Sequence, residues 1–124
     1  MKVLLSVKPE FARKIFSGEK KFEFRRTIFK SKVKKILVYA SSPVQKVIGE
    51  FEVDEIMHQK IDALWNLTGE HSGITKEYFS AYFTDKEKGF AIKIKNVKQY
   101  KTPRCIRKDY NATPPQSFIY IDKR

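Results

Sequence analysis

Lys20, Glu23 and Arg25 lie within the ten residues Ser17–Arg26, which hold four cations and two carboxylates interleaved with Phe22 and Phe24. A lysine beside a glutamate can serve as a base or a nucleophile once it is withdrawn from water. A Glu–Arg pair held at fixed positions can bind a polar ring or a phosphate. The same residues can equally form an ordinary ion-paired strand face. Arg26 adds a further cation to the group. Ser41 and Ser42 end the most apolar run of the chain, Ile36–Ala40, where hydroxyls could meet a ligand or simply make a Ser-Pro turn with Pro43. Gln116 and Ser117 follow Pro114 and Pro115, whose rings restrict the backbone and could hold both side chains in place.

Other reactive residue types are sparse. His58 and His71 fall in no motif and are expected on a strand edge and in a turn. Cys105 sits among Arg104, Arg107 and Lys108, a setting that lowers a thiol pKa, but nothing around it completes a thiol enzyme. One cysteine allows no internal disulfide, and with two histidines it is too few for a zinc site. No phosphate-binding glycine loop, nucleophile elbow or His-Glu-x-x-His motif is present, so no metal and no cofactor is expected.

The net charge is +12, and its distribution matters more than its sum. Residues 1–35 carry twelve Lys/Arg against three Asp/Glu, and residues 86–108 carry nine against one. Residues 50–77 reverse the sign, with seven acids against two lysines. Two basic segments fit a polyanion, so RNA, another nucleic acid or a nucleotide-like molecule is the expected partner. No apolar run is long enough to span a bilayer, and Lys8 and Glu10 interrupt the apolar start too early for a signal peptide. With the single cysteine, this reads as a cytoplasmic protein with no membrane partner.

The elements that must position these residues form one domain over residues 1–124. Residues 3–7 read as a strand, and Pro9 opens a helix whose apolar stripe is Phe11, Ala12, Ile15 and Phe16. Gly18 stops it, and a strand over 21–26 should put Phe22 and Phe24 on one face, Glu23 and Arg25 on the other. The core would then depend on the phenylalanines, leaving Arg25 free for a ligand. Strands follow at 33–40 and 46–54, with Gly49 marking a bend, bulge or close backbone approach. Residues 61–67 read as a helix, and Thr75 caps another that carries Tyr78, Phe79, Tyr82 and Phe83. Trp65, Tyr78 and Phe79 could wall a cleft or fill the core. A strand begins near Phe90, shifts phase near Asn96 and should stop at Pro103, and residues 117–121 form the last. The order implies an α+β fold: a small, partly open mixed β-barrel with flanking helices.

The segment Gly18-Glu19-Lys20-Lys21-Phe22-Glu23-Phe24-Arg25 resembles the G-x-K-x-x-E-x-R signature of ASCH domains, part of the PUA-like superfamily. Residues 39–43, 47–51, 72–74 and 114–118 are similar to stand-alone prokaryotic ASCH proteins, so the resemblance covers nearly the whole chain. It implies a PUA-like β-barrel, a cleft between barrel and helices, and a role in RNA binding or metabolism. It places Gly18, Lys20, Glu23 and Arg25 in that cleft. Some relatives hydrolyse acetylated cytidine with a lysine, a threonine and a glutamate, and others are ribonucleases. Lys20 matches the lysine, Glu23 stands where the threonine would be, and the downstream glutamate could match Glu70. The reading is a nucleic-acid or nucleotide-binding module. The alternative is a hydrolase acting on a modified nucleoside or on RNA, with Lys20 as base or nucleophile and Glu23 as its partner.

Overall fold

The computed structural model describes residues 1–121. Eleven segments alternate along the chain: β1 (Lys2–Val7), α1 (Pro9–Ser17), β2 (Phe22–Arg25), β3 (Lys35–Ala40), β4 (Lys46–Lys60), α2 (Ile61–Thr68), a 3-10 turn (Gly69–His71), α3 (Lys76–Tyr82), β5 (Lys88–Arg104), α4 (Ile106–Tyr110) and β6 (Phe118–Ile121). The strands make one sheet in the order β2-β5-β4-β3-β1-β6. Only β1 and β3 run parallel; every other pair is antiparallel.

The expected barrel does not close. β2 and β6 are the two margins of the sheet and do not pair with each other. The segment between β2 and β3 covers the gap instead. Phe29 and Val33 bury themselves in the core, and Phe29 meets Phe118 edge to face. The Tyr120 hydroxyl accepts hydrogen bonds from the backbone N–H groups of Lys30 (2.7 Å) and Ser31 (3.3 Å).

Both faces of the sheet are covered. On one face, β1 residues Val3, Leu5 and Val7 and β3 residues Ile36, Val38 and Ala40 pack under Ala12 and Ile15 of α1. On the other, Leu4, Leu37, Tyr39 and Val47 pack against Ile106 of α4. A third cluster joins Phe22, Phe24 and Ala91 to Leu64 of α2, to Phe79 of α3 and to Phe83 just after it. The uninterrupted apolar runs of β1 and β3 thus reflect burial on two faces.

Local signals explain the element ends. Gly18 takes the left-handed conformation (φ 88°) and closes α1 with its N–H on the Ile15 carbonyl. The Thr75 hydroxyl accepts from the Tyr78 N–H at 3.0 Å and starts α3. At Gly49 a side chain would collide with the Phe16 ring and the Lys98 carbonyl oxygen, so the close approach expected there is real. Asn96 has φ 51°, and between Lys95 and Lys98 β5 carries one residue more than β4, which is the expected phase shift.

Two expectations fail, and one element lies outside them. β4 continues to Lys60, six residues past the anticipated end, because its distal half pairs with the start of β5. β5 runs through Pro103 to Arg104: between Gln99 and Arg104 it bulges away from β4, and a proline there removes no ladder bond. The short helix α4 is invisible in the sequence, since five residues carry almost no periodic signal.

Phe24 is 5% exposed and meets Phe79 and Phe83 edge to face, with ring centroids 5.1 and 6.2 Å away. Phe24→Ala is therefore expected to lower stability by about 3–5 kcal/mol in urea titrations. A loss below about 1 kcal/mol would mean this cluster does not hold β2 to the helices.

Candidate functional site

A cleft of about 620 Å³ opens between the C-terminal end of β1, β2, α3 and the segment leading into β6. Its walls include Ser6, Phe11, Lys20, Glu23, Arg25, Arg26, Ser41, Tyr78, Tyr82, Gln116 and Ser117. Of the residues singled out from sequence, Lys20, Glu23, Arg25, Arg26, Ser41, Gln116 and Ser117 come together here. Gly18 and Ser42 do not line it: Gly18 is exposed at the end of α1, and Ser42 is exposed in the turn after β3. The glycine serves the turn that delivers Lys20, and only the first serine faces inward.

β2 alternates as its sequence implies, but both faces are buried. Phe22 and Phe24 go to the helices, and Glu23 and Arg25 go to the cleft side. Lys20, Glu23 and Arg25 are only 2%, 6% and 8% exposed. Arg25 Nη2 donates to Glu23 Oε2 at 2.8 Å and to the Ser6 carbonyl at 3.0 Å, and Nη1 donates to Ser117 Oγ at 3.3 Å. Arg25 thereby ties β2 to the β1–β6 margin across the open side of the sheet. The expectation that Arg25 is dispensable for the fold does not survive this geometry. Its Nε–H is buried and has no partner among the described residues.

Lys20 is held from three sides. Its backbone N–H donates to the Lys14 carbonyl, and Nζ donates to the Ser72 carbonyl at 2.8 Å. Nζ also lies 4.9 and 5.3 Å from the ring centroids of Phe24 and Phe11. Gly73 (φ 71°) packs on the Lys20 side chain so closely that a Cβ would sit 2.8 Å from Lys20 Cβ. Burial is the largest influence on the amine and lowers its pKa; Glu23 opposes the shift, while Lys14 and Arg25 add to it. An amine shifted this way is less basic than a surface lysine, so a larger share of it is neutral near pH 7 and available as a proton acceptor.

The aromatic walls were only partly legible. Phe79 is core, Trp65 packs against it, and Tyr78 is the cleft wall. Tyr82, four residues on, shares the helix face with Tyr78. Its hydroxyl donates to the Phe24 carbonyl at 3.1 Å, and burial pushes its phenol pKa up. Tyrosines in an otherwise phenylalanine-rich stripe were the available signal, since a buried ring with a polar tip marks a core boundary. Arg26 Nη1 donates to the carbonyls of Tyr82 and Thr84, both at 2.8 Å, fixing the end of α3 against β2.

Several residues fall elsewhere. His58 stacks on Phe90 at the surface, and His71 is exposed, its carbonyl accepting from the Lys21 N–H. Glu70 is exposed on the 3-10 turn and does not line the cleft, so the lysine–threonine–glutamate set of the acetylcytidine hydrolases is not assembled. The Cys105 thiol pKa is lowered, chiefly by the Lys108 and Arg107 backbone N–H groups rather than by their side chains. Among the described residues no group of three or more His, Cys, Asp or Glu could hold a metal, and no helix is long and apolar enough to cross a membrane.

Residues 1–113 match a family described as a domain of unknown function, DUF365. The chain is 32% identical over 129 residues to the ASCH domain-containing ribonuclease of Zymomonas mobilis subsp. mobilis, covering 97% of this chain and 84% of that protein. It is also 32% identical over 121 residues to the large ribosomal subunit protein uL22 of Ureaplasma parvum serovar 3; the match covers 96% of this chain but only 39% of that protein. The crystal structure of ASCH from Zymomonas mobilis superposes with a TM-score of 0.90 at 30% identity, covering 98% of this chain and 88% of that one.

Removing Arg25 would leave the Glu23 carboxylate buried and unpaired. Arg25→Ala is expected to cost about 3–5 kcal/mol in denaturant melts, and adding Glu23→Gln should restore part of the loss. An Arg25→Ala variant as stable as the wild type would show that the sheet margins do not need the bridge.

Lys20 also makes a pH prediction. Its folded pKa lies below the unfolded value, so burial of the charged form is penalised at neutral pH and the penalty fades as pH rises toward about 10.4. The wild type should gain stability relative to Lys20→Met between pH 7 and 9.5 in paired urea melts. A relative loss over that range would mean the amine's pKa is raised.

Proposed function

This chain belongs to the ASCH domain family and carries the DUF365 domain over residues 1–113, and from that premise we propose that it handles RNA, taking one nucleotide of a single strand into the cleft. The observation that carries this reading is the aromatic-walled cleft itself, to which Arg25 brings a guanidinium beside the rings of Phe11, Tyr78 and Tyr82. Lys8 and Arg26 add positive charge at the same wall, which suits a phosphate. Phe11, Tyr78 and Tyr82 offer rings for a base, and Ser41, Gln116 and Ser117 offer hydrogen bonds to its edge or to a 2′-hydroxyl. The volume falls within the range of small-molecule and nucleotide pockets.

Lys20 supports a second reading, cleavage of the bound RNA, in keeping with the Zymomonas relative named as a ribonuclease. A neutral Lys20 amine would take the proton of a 2′-hydroxyl. The 2′-oxygen would attack the adjacent phosphorus, and the bond to the 5′-oxygen would break, that oxygen taking a proton from water. The products are a 2′,3′-cyclic phosphate and a 5′-hydroxyl end. Glu23 would act through Arg25, holding the guanidinium near the charged phosphorane. Hydrolysis of acetylated cytidine is the less supported alternative, because Glu23 is engaged by Arg25 and Glu70 lies outside the cleft.

The purified chain, titrated with a fluorescent single-stranded RNA and with DNA of the same sequence, tests both readings. Binding is expected, tighter for RNA, with log K falling against log salt at a slope of about −2 or steeper. No binding at low salt would overturn the RNA reading. Chromatography of the same mixtures should show cyclic-phosphate products that disappear in Lys20→Met if the second reading holds; intact RNA throughout would leave binding alone. N4-acetylcytidine is expected to survive incubation.

A further inference from the structure

Beyond Ser41 the same rim of the sheet carries a second charged surface. The strand register leads to it step by step: Val7 lies opposite Ala40, Ala40 opposite Lys46, and Val47 opposite Arg104. Three strand spacings put the end of β5 about 14 Å from the Val7 wall of the cleft. The helix α4 begins immediately after it and adds Arg107 and Lys108.

This surface is built from cations without acidic partners. Lys46, Lys101, Arg107 and Lys108 are exposed, and none of them, nor Arg104, forms a salt bridge among the described residues. The nearby acids are already engaged. Asp109 Oδ2 accepts from the Cys105 N–H at 2.9 Å. Glu50 holds Lys35 through Oε2 at 2.9 Å and the Tyr100 hydroxyl through Oε1 at 2.7 Å. Arg104 is pre-ordered: its guanidinium carbon lies 3.8 Å from the Tyr100 ring centroid, and Nη1 donates to the Tyr110 hydroxyl at 2.8 Å. A groove of about 520 Å³ runs alongside, lined by Lys98 to Arg104 and by Asp109.

The rest of β5 behaves differently. Lys93 meets Asp54 at 3.7 Å, and Lys95 lies opposite Glu52 in the ladder. Lys88, opposite Lys60 at the far end, also has no ion pair among the described residues, but only the end that adjoins the cleft is continued by further cations, Arg107 and Lys108 of α4.

We propose that this face is the outer half of an RNA track: a single strand with one nucleotide in the cleft passes Ser41 and lays its phosphates over Lys46, Arg104, Arg107 and Lys108. The proposal rests on the RNA reading of the cleft. Continuity along one rim favours a strand of nucleic acid over an unrelated acidic partner. The Arg104–Tyr100 stack gives a flat, cationic platform of the kind on which a base can rest.

The triple variant Lys46→Gln, Arg107→Gln, Lys108→Gln tests this, since these side chains are exposed and make no hydrogen bond among the described residues. Two probes are compared across a salt series with the full chain: a dinucleotide and a twelve-nucleotide single-stranded RNA. For the longer strand the slope of log K against log salt should shrink by about 2, and its affinity near 0.1 M salt should fall about tenfold or more. Dinucleotide binding should not change. An unchanged slope for the longer strand overturns the track. If the dinucleotide never binds but the longer strand still responds to the triple variant, the cleft reading fails and the cationic face stands. Binding to phosphatidylserine vesicles that the triple variant abolishes, with RNA slopes unchanged, assigns the face to a membrane surface and overturns the proposal.

Discussion

One guanidinium holds the open side of this sheet. A rolled sheet with free margins needs something other than strand pairing where the margins approach each other. Here Arg25, on the β2 margin, donates to the Ser6 carbonyl of β1 and to the Ser117 hydroxyl at the entrance to β6. Glu23, two residues away on the same strand, supplies the counter-charge. Burial of an ion pair is costly unless its donors and acceptors are well satisfied. Three of these requirements are met inside the protein, and Nε is left over. The group that closes the fold thus also lines the cleft, and it keeps one buried N–H without a partner among the described residues.

Lys20 shows the same coupling of architecture and chemistry. Gly18 turns the chain out of α1, and the loop after the 3-10 turn rises over the lysine through Gly73. Ser72 offers its carbonyl, and two phenylalanine rings take the remaining sides. This environment accepts a charge only at a cost, which is why burial dominates the amine's shift. A backbone turn more than fifty residues away in sequence therefore helps bury the lysine of the signature segment.

Charge is also redistributed by pairing. Along the chain, the acidic segment 50–77 and the basic segment 86–108 look like opposite poles. In the sheet, β4 and β5 run side by side, so Glu52 and Glu55 lie opposite Lys95 and Lys93. Much of the second basic segment is thereby countered. Unpaired cations remain at both ends of β5, and those in and after the Gln99–Arg104 bulge, where β4 no longer tracks β5 residue for residue, continue onto α4. A bulge that tolerates Pro103 thus also carries Lys101 and Arg104 away from the acids of β4.

Local patterns alone located most elements. Pro9 and Gly18 bounded α1, Thr75 announced α3, and alternation in β2 placed Phe22 and Phe24 opposite Glu23 and Arg25, because these signals act within a turn or two of chain. The signature around Lys20 identified the family for the same reason: its spacing is local. Tertiary structure alone decided that the sheet stays open, that Arg25 is a bridge, that Tyr82 walls the cleft, and that Gly18 and Ser42 stay outside it. It also decided how far β4 and β5 extend, since strand length depends on what the partner strand offers. Each of these depends on which distant segments meet, and a carbonyl such as that of Ser6 or Ser72 leaves no mark in the sequence, because every residue carries one.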